Sequence, residues 1–136
     1  MQVSYSAESV LDSTISRNDL RVLLVYPNTR DVAMANLGFQ QVYSLLNKIE
    51  GVVCDRFAMP VGWKPETQSL NREELRSMDM QMHPLDFDVI AFSISFEPDY
   101  LNTVLALKYF SIPLDREERD ASFPMITAGG SAIFIN

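Results

Sequence analysis

Three apolar runs punctuate the chain, and each ends in small or polar residues. They are Leu20-Arg21-Val22-Leu23-Leu24-Val25-Tyr26-Pro27, Phe87-Asp88-Val89-Ile90-Ala91-Phe92-Ser93-Ile94-Ser95 and Phe123-Pro124-Met125-Ile126-Thr127-Ala128-Gly129-Gly130. Continuous apolar runs of this length predict parallel strands buried on both faces. A shorter run, Val52-Val53-Cys54-Asp55-Arg56-Phe57, predicts a further strand, and its polar Asp55 and Arg56 suggest a sheet edge. In chain order the expected strands cover residues 20–26, 52–57, 87–95 and 124–128, with Pro27-Asn28-Thr29 breaking the first.

Helical spacing separates the strands. Met34, Leu37, Val42, Leu45, Leu46 and Ile49 share one stripe, and Gly51 suits the end of that helix. Residues 59–70 form a long loop containing Pro60, Gly62, Trp63 and Pro65. Leu75, Met78 and Met82 then predict a short helix over 71–82. Pro98 fits the first turn of the next helix, where its missing N–H costs nothing. Tyr100, Leu101, Val104, Leu105, Leu107 and Phe110 form that helix's apolar side, Pro113 stops it, and 115–122 make a charged surface connection.

This alternation predicts an α/β fold: an open, Rossmann-like parallel sheet with helices on both faces and right-handed crossovers. Residues 1–19 are polar and Ser-rich and read as an N-terminal arm; residues 20–136 form one domain. Only 131–136 follow the last strand, so the sheet is expected to be truncated after strand four, an interrupted piece of a larger protein.

Charge and cysteine usage narrow the function. Eleven basic against eighteen acidic residues give a net charge of −7, which argues against a nucleic-acid surface. Cys54 is the only cysteine, so the chain cannot hold an internal disulfide or a multi-cysteine iron–sulfur site. No apolar run reaches membrane-spanning length and no signal-peptide pattern opens the chain; the expected location is the cytoplasm. The five glycines form no dinucleotide fingerprint, and there is no phosphate loop or nucleophile elbow. A phosphoreceiver would need acidic residues where Tyr26-Pro27-Asn28 and Ser93-Ile94-Ser95 stand.

Ligands of open α/β sheets sit outside the carboxyl ends of the strands. Ser93 and Ser95 point to one side there, either packing a helix tightly or lining a ligand crevice. Gly129-Gly130 supplies either a turn with positive φ or bare backbone against a flat ligand. His83, the only histidine, enters strand three at the opposite end and reads as a surface or capping residue. Cys54 reads as packing, since a reactive thiol needs a nearby cation or helix start and Arg56 alone is thin support. Glu97 and Asp99 flank Pro98 and suit a helix dipole. Trp63 either pins its loop or contacts a neighbouring domain, and the second is favoured. No residue reads as catalytic or as a metal ligand.

Four blocks carry a resemblance in their order and spacing. They are Val22-Leu23-Leu24-Val25-Tyr26-Pro27-Asn28, Val32-Ala33-Met34-Ala35-Asn36-Leu37-Gly38, Phe87-Asp88-Val89-Ile90-Ala91-Phe92-Ser93 with Phe96-Glu97, and Ile126-Thr127-Ala128-Gly129-Gly130. A Gly-Ile-Pro-Leu segment usual in the family appears as Ser111-Ile112-Pro113-Leu114. Together they resemble the N-terminal cobalamin-binding-like domain of a family of radical SAM proteins, over residues 20–136. The resemblance implies a flavodoxin-like sheet lacking its last strand and helix. It also implies a following barrel domain, the partner within the same protein, whose Cys-x-x-x-Cys-x-x-Cys motif holds a 4Fe–4S cluster that splits S-adenosylmethionine. That motif is absent from this chain, so the fragment is not catalytic alone.

Cobalamin domains carry Asp-x-His-x-x-Gly after the first strand, with the His on cobalt. Here Met34-Ala35-Asn36-Leu37-Gly38 stands in that neighbourhood, and Asn is a poor substitute for imidazole. Ser93-Ile94-Ser95 and Gly129-Gly130 keep the companion patterns. A bound cobalamin would therefore lie over Asn28, Thr29, Met34, Ala35, Asn36, Leu37, Gly38, Ser93, Ser95, Gly129 and Gly130 without a histidine ligand, provided strands one, three and four are neighbours. The alternative is an interaction or substrate-recognition module that has lost cofactor binding. A flavin-binding flavodoxin relative is weaker, since Asn28-Thr29-Arg30-Asp31 offers only Thr29 to a phosphate. The uncovered fourth strand and the apolar Ala132-Ile133-Phe134-Ile135 are expected to promote self-association.

Overall fold

The computed structural model describes residues 18–131. Four strands form one sheet: β1 (Leu20–Thr29), β2 (Val52–Met59), β3 (Val89–Ser93) and β4 (Met125–Gly129). Every pairing is parallel and the order is β2-β1-β3-β4. The fold is the expected parallel α/β arrangement, with β1, β3 and β4 adjacent and β2 at an edge. The proposed arm falls almost wholly outside the described residues, as do Ala132, Ile133, Phe134 and Ile135.

β1 is central and buried without interruption from Val22 to Pro27. It runs past the expected break, because Pro27 is accommodated where the β1–β2 register shifts between Tyr26 and Thr29. A proline has no N–H for a ladder and tends to sit at such an irregularity.

The pleat divides the core in two. On one face, Leu23, Val25, Phe57, Ile90 and Phe92 meet Ala106 and Leu107 of α3 (Asp99–Tyr109) and Phe110, which caps its carboxyl end. Phe57 and Phe110 pack edge to face with centroids 4.9 Å apart. On the other face, Val22, Leu24, Tyr26 and Cys54 meet Ala33 and Phe39. Those two belong to α1 (Arg30–Ala35) and α2 (Leu37–Leu46).

One helix was expected after β1, and two are found. Asn36, at ψ 112°, is extended and breaks them apart, and its side chain accepts a hydrogen bond from the Phe39 amide. That is an N-cap, the role a short polar side chain fills best. The break also re-aims the helix. Phe39, Tyr43 and Leu46 face the sheet, and Phe39 packs edge to face on Tyr26 at 5.4 Å. The expected stripe is largely outside: Leu37 is 79% exposed, Val42 42% and Leu45 60%.

The helix expected over 71–82 does not form. Asn71 and Glu74 exchange side chain–backbone hydrogen bonds of 2.9 and 2.8 Å, which starts a single turn. Beyond it the backbone finds tertiary partners instead. The Met78 amide donates to the Arg56 carbonyl, and the Asp79 and Met80 amides donate to the carboxylate of Asp55, which is fully buried. The Arg56 amide is its third donor, at 2.7 Å from Oδ1. Asp55 thus marks the edge strand as expected, but its role is to fasten a loop over that edge.

The same edge is blunted a second time. Asn47, just beyond α2, donates to the Cys54 carbonyl at 3.0 Å and accepts from the Cys54 amide at 2.8 Å. Its side-chain amide stands in for one residue of a neighbouring strand. β4 carries no such cover among the described residues. Met125 is 68% exposed, and Thr127, Ala128 and Gly129 are exposed as well.

Candidate functional site

The helices cover the sheet unequally. α1 and α2 cover β1 and β2, and among the described residues no helix covers the same face of β3 and β4. The step between helix and bare sheet is a groove of about 620 Å3. Its floor is Leu24, Ala91 and Thr127; Gly38, Phe39 and Val42 make the helix wall. Its carboxyl end is closed by Asn36, Ser93, Ser95, Gly129, Gly130 and Ser131. Every charged residue type is missing from this lining, and its serine and asparagine side chains gather at the carboxyl end.

Six of the eleven expected ligand residues therefore come together: Asn36, Gly38, Ser93, Ser95, Gly129 and Gly130. Five lie apart from the groove lining. Asn28 turns toward α3 and donates to Asp99 at 3.2 Å. Thr29 precedes α1, and a hydrogen bond from its side chain holds the Asp31 carboxyl below the ordinary carboxylate value. Met34 lies beside Arg56 and Gln40 on the β2 side. Ala35 ends α1 exposed, and Leu37 points into solvent. Residues that spacing alone did not select include Phe96, 59% exposed at the groove, and Thr127 on its floor.

The two glycines do different work. A Cβ on Gly129 would meet nothing within 4 Å, so bare backbone there faces open groove. Gly130 has φ +113°, and a Cβ would fall 2.4 Å from the Ile94 carbonyl oxygen. The turn reading holds for Gly130, and the room for a ligand is at Gly129.

Asn36 is committed to the fold. Its Oδ1 accepts from Phe39, and its Nδ2 lies 3.5 Å from the Tyr26 hydroxyl and 3.4 Å from Ser95 Oγ. Turning this side chain toward a metal would uncap α2. The groove lining carries no charge, and it supplies no imidazole or carboxylate for cobalt.

The remaining candidates settle into structural roles. His83 Nδ1 accepts from the Leu85 amide at 3.0 Å and caps a short turn at Pro84–Asp86. That role needs neutral imidazole, and burial lowers its pKa. Cys54 is buried, and desolvation followed by the charge of Asp55 pushes its thiol up to about 12, which makes it inert. Trp63 does not present a docking face. It is 9% exposed, joins the α3-side core, and its indole donates to the Tyr109 hydroxyl at 3.2 Å. It pins the loop after β2, which corrects the expectation of a domain contact.

Among the described residues, no group of three or more His, Cys, Asp or Glu could hold a metal ion, and no helix is long and apolar enough to cross a membrane. A family model described as radical SAM proteins, N-terminal, matches residues 38–136, well over half of the chain. No curated protein and no solved structure matches it.

Proposed function

We propose that this chain, which belongs to the N-terminal family of radical SAM proteins, is an accessory domain whose groove receives a cobalamin-like ligand without a histidine on the cobalt. One observation carries the reading: Asn36, Ser93, Ser95 and Gly129, selected from the sequence, converge on one uncharged groove beside the carboxyl ends of β3 and β4. Residues 20–136 form the domain, and 1–19 precede it as an arm. The domain is not catalytic alone. S-adenosylmethionine and the 4Fe–4S cluster belong, on this reading, to a radical SAM domain of the same cytoplasmic protein, which is also this domain's partner.

When bound, a cobalamin supplies cobalt–carbon chemistry. The chain's own contribution is positional. Ser93, Ser95 and Asn36 offer hydroxyl and amide groups at the closed end, Leu24 gives an apolar floor and Phe39 an apolar wall, and Gly129 leaves backbone exposed to a flat edge. The test is a visible spectrum after mixing with hydroxocobalamin and desalting. Retained absorbance is expected for the chain and for His83→Ala, and its loss for Gly129→Val. Equal retention by Gly129→Val would place any binding elsewhere.

A second reading is an interaction or substrate-recognition module. Phe96, Val42 and Leu45, exposed by 59%, 42% and 60%, are what favour it. No retained colour in the same experiment would select it.

A further inference from the structure

Asp99 has an unusual position for a carboxylate. It is the first residue of α3, beside the end of β1, and it is 1% exposed. Its Oδ1 accepts from Asn28 Nδ2 on β1 and from Asn102 Nδ2 on α3, each at 3.2 Å. Its Oδ2 is buried and meets no hydrogen-bond partner among the described residues. The groups bonded to it are those two neutral amides, and no charged group is among the causes that move its proton affinity. A buried carboxylate with one oxygen unsatisfied and no cation is costly, and the group escapes that cost by taking a proton.

We propose that Asp99 is a proton-dependent clamp between β1 and α3 that sets the mouth of the groove. The link to the mouth is short. The Asp99 amide donates to the Phe96 carbonyl at 3.0 Å, which closes the turn carrying Ser95 and Phe96 to the groove. With its proton, Asp99 is neutral and the turn is closed. Without it, the charge has to draw water, and the turn loosens.

Burial raises the pKa of this carboxyl above 3.8, against the lowering effect of the two amides. The folded state therefore binds the proton more tightly than the unfolded one. The stabilisation is complete below 3.8 and is lost as pH rises through the raised folded value.

The experiment follows the Asp99 carboxyl carbon and the Phe96 ring by nuclear magnetic resonance across pH. The expected result is a carboxyl midpoint above 3.8, with the Phe96 signals moving at the same midpoint. In Asp99→Asn that Phe96 transition should vanish. A carboxyl midpoint at or below 3.8, or a Phe96 ring that ignores the titration, overturns the proposal without recourse to any variant.

Discussion

At Gly130 the backbone passes so close to the end of β3 that a single methyl group would lie 2.4 Å from the Ile94 carbonyl oxygen. The residue also holds φ +113°, a region L side chains rarely enter. Gly130→Ala should therefore cost about 1–3 kcal/mol in urea unfolding. Gly129→Ala, with nothing within 4 Å of the new atom, should stay near wild type. Equal destabilisation by both would mean that the close approach is not what selects glycine. The sequence showed that this pair was special but could not divide the roles, since the division depends on where Ile94 lies. His83 and Cys54 were legible for the opposite reason: each lacks a partner of the kind that chemistry needs. Asp99 was read as a helix-dipole residue, and its burial was invisible because it depends on Asn28, 71 positions away.

At the scale of elements, strands were legible and helices less so. The long apolar runs of β1 and β3 can be satisfied only between two covered faces, so their pattern does not depend on detail. Helical spacing misled twice. Residues 71–82 carry both the spacing and a start signal at Asn71 and Glu74, yet Asp55 takes the amides of Asp79 and Met80 that a continuing helix would use. In α2 the apolar side chains make two stripes about a third of a turn apart, and the aromatic one, Phe39 and Tyr43, takes the sheet. Asp55→Ala would leave those loop amides without their acceptor. The expected cost is about 3 kcal/mol, the upper range for hydrogen bonds to a charged group. Hydrogen exchange should speed up at Asp79 and Met80 while β1 stays protected. Unchanged exchange at those two amides would show that the carboxylate does not hold the loop.

Across the whole molecule the two sheet edges differ. Asn47, Asp55 and the Met78 amide seal β2, whereas among the described residues nothing covers β4, where Met125 is 68% exposed. Open edges with apolar flanks recruit other strands. The chain should accordingly associate with itself as concentration rises, as seen by light scattering, and Met125→Lys should restore a monomer. Wild-type scattering that stays monomeric at high concentration would remove the edge as an association surface. The neighbourhood of β1, β3 and β4 was legible through the flavodoxin-like sheet that the resemblance implies. The bare face above β3 and β4 was not, since no sequence pattern states which strands a helix leaves uncovered.

The Asn47 side chain that imitates a strand residue at Cys54 has a consequence for assembly in time. Because it and Asp55 close the outer side of β2, the β1–β2 pair has one free side. β3 joins there, and β4 joins β3. The strand order lets each strand be added in chain order at the open side, without insertion between strands already paired. That order leaves the sheet one direction in which to extend, and a single asparagine side chain helps to fix which direction that is.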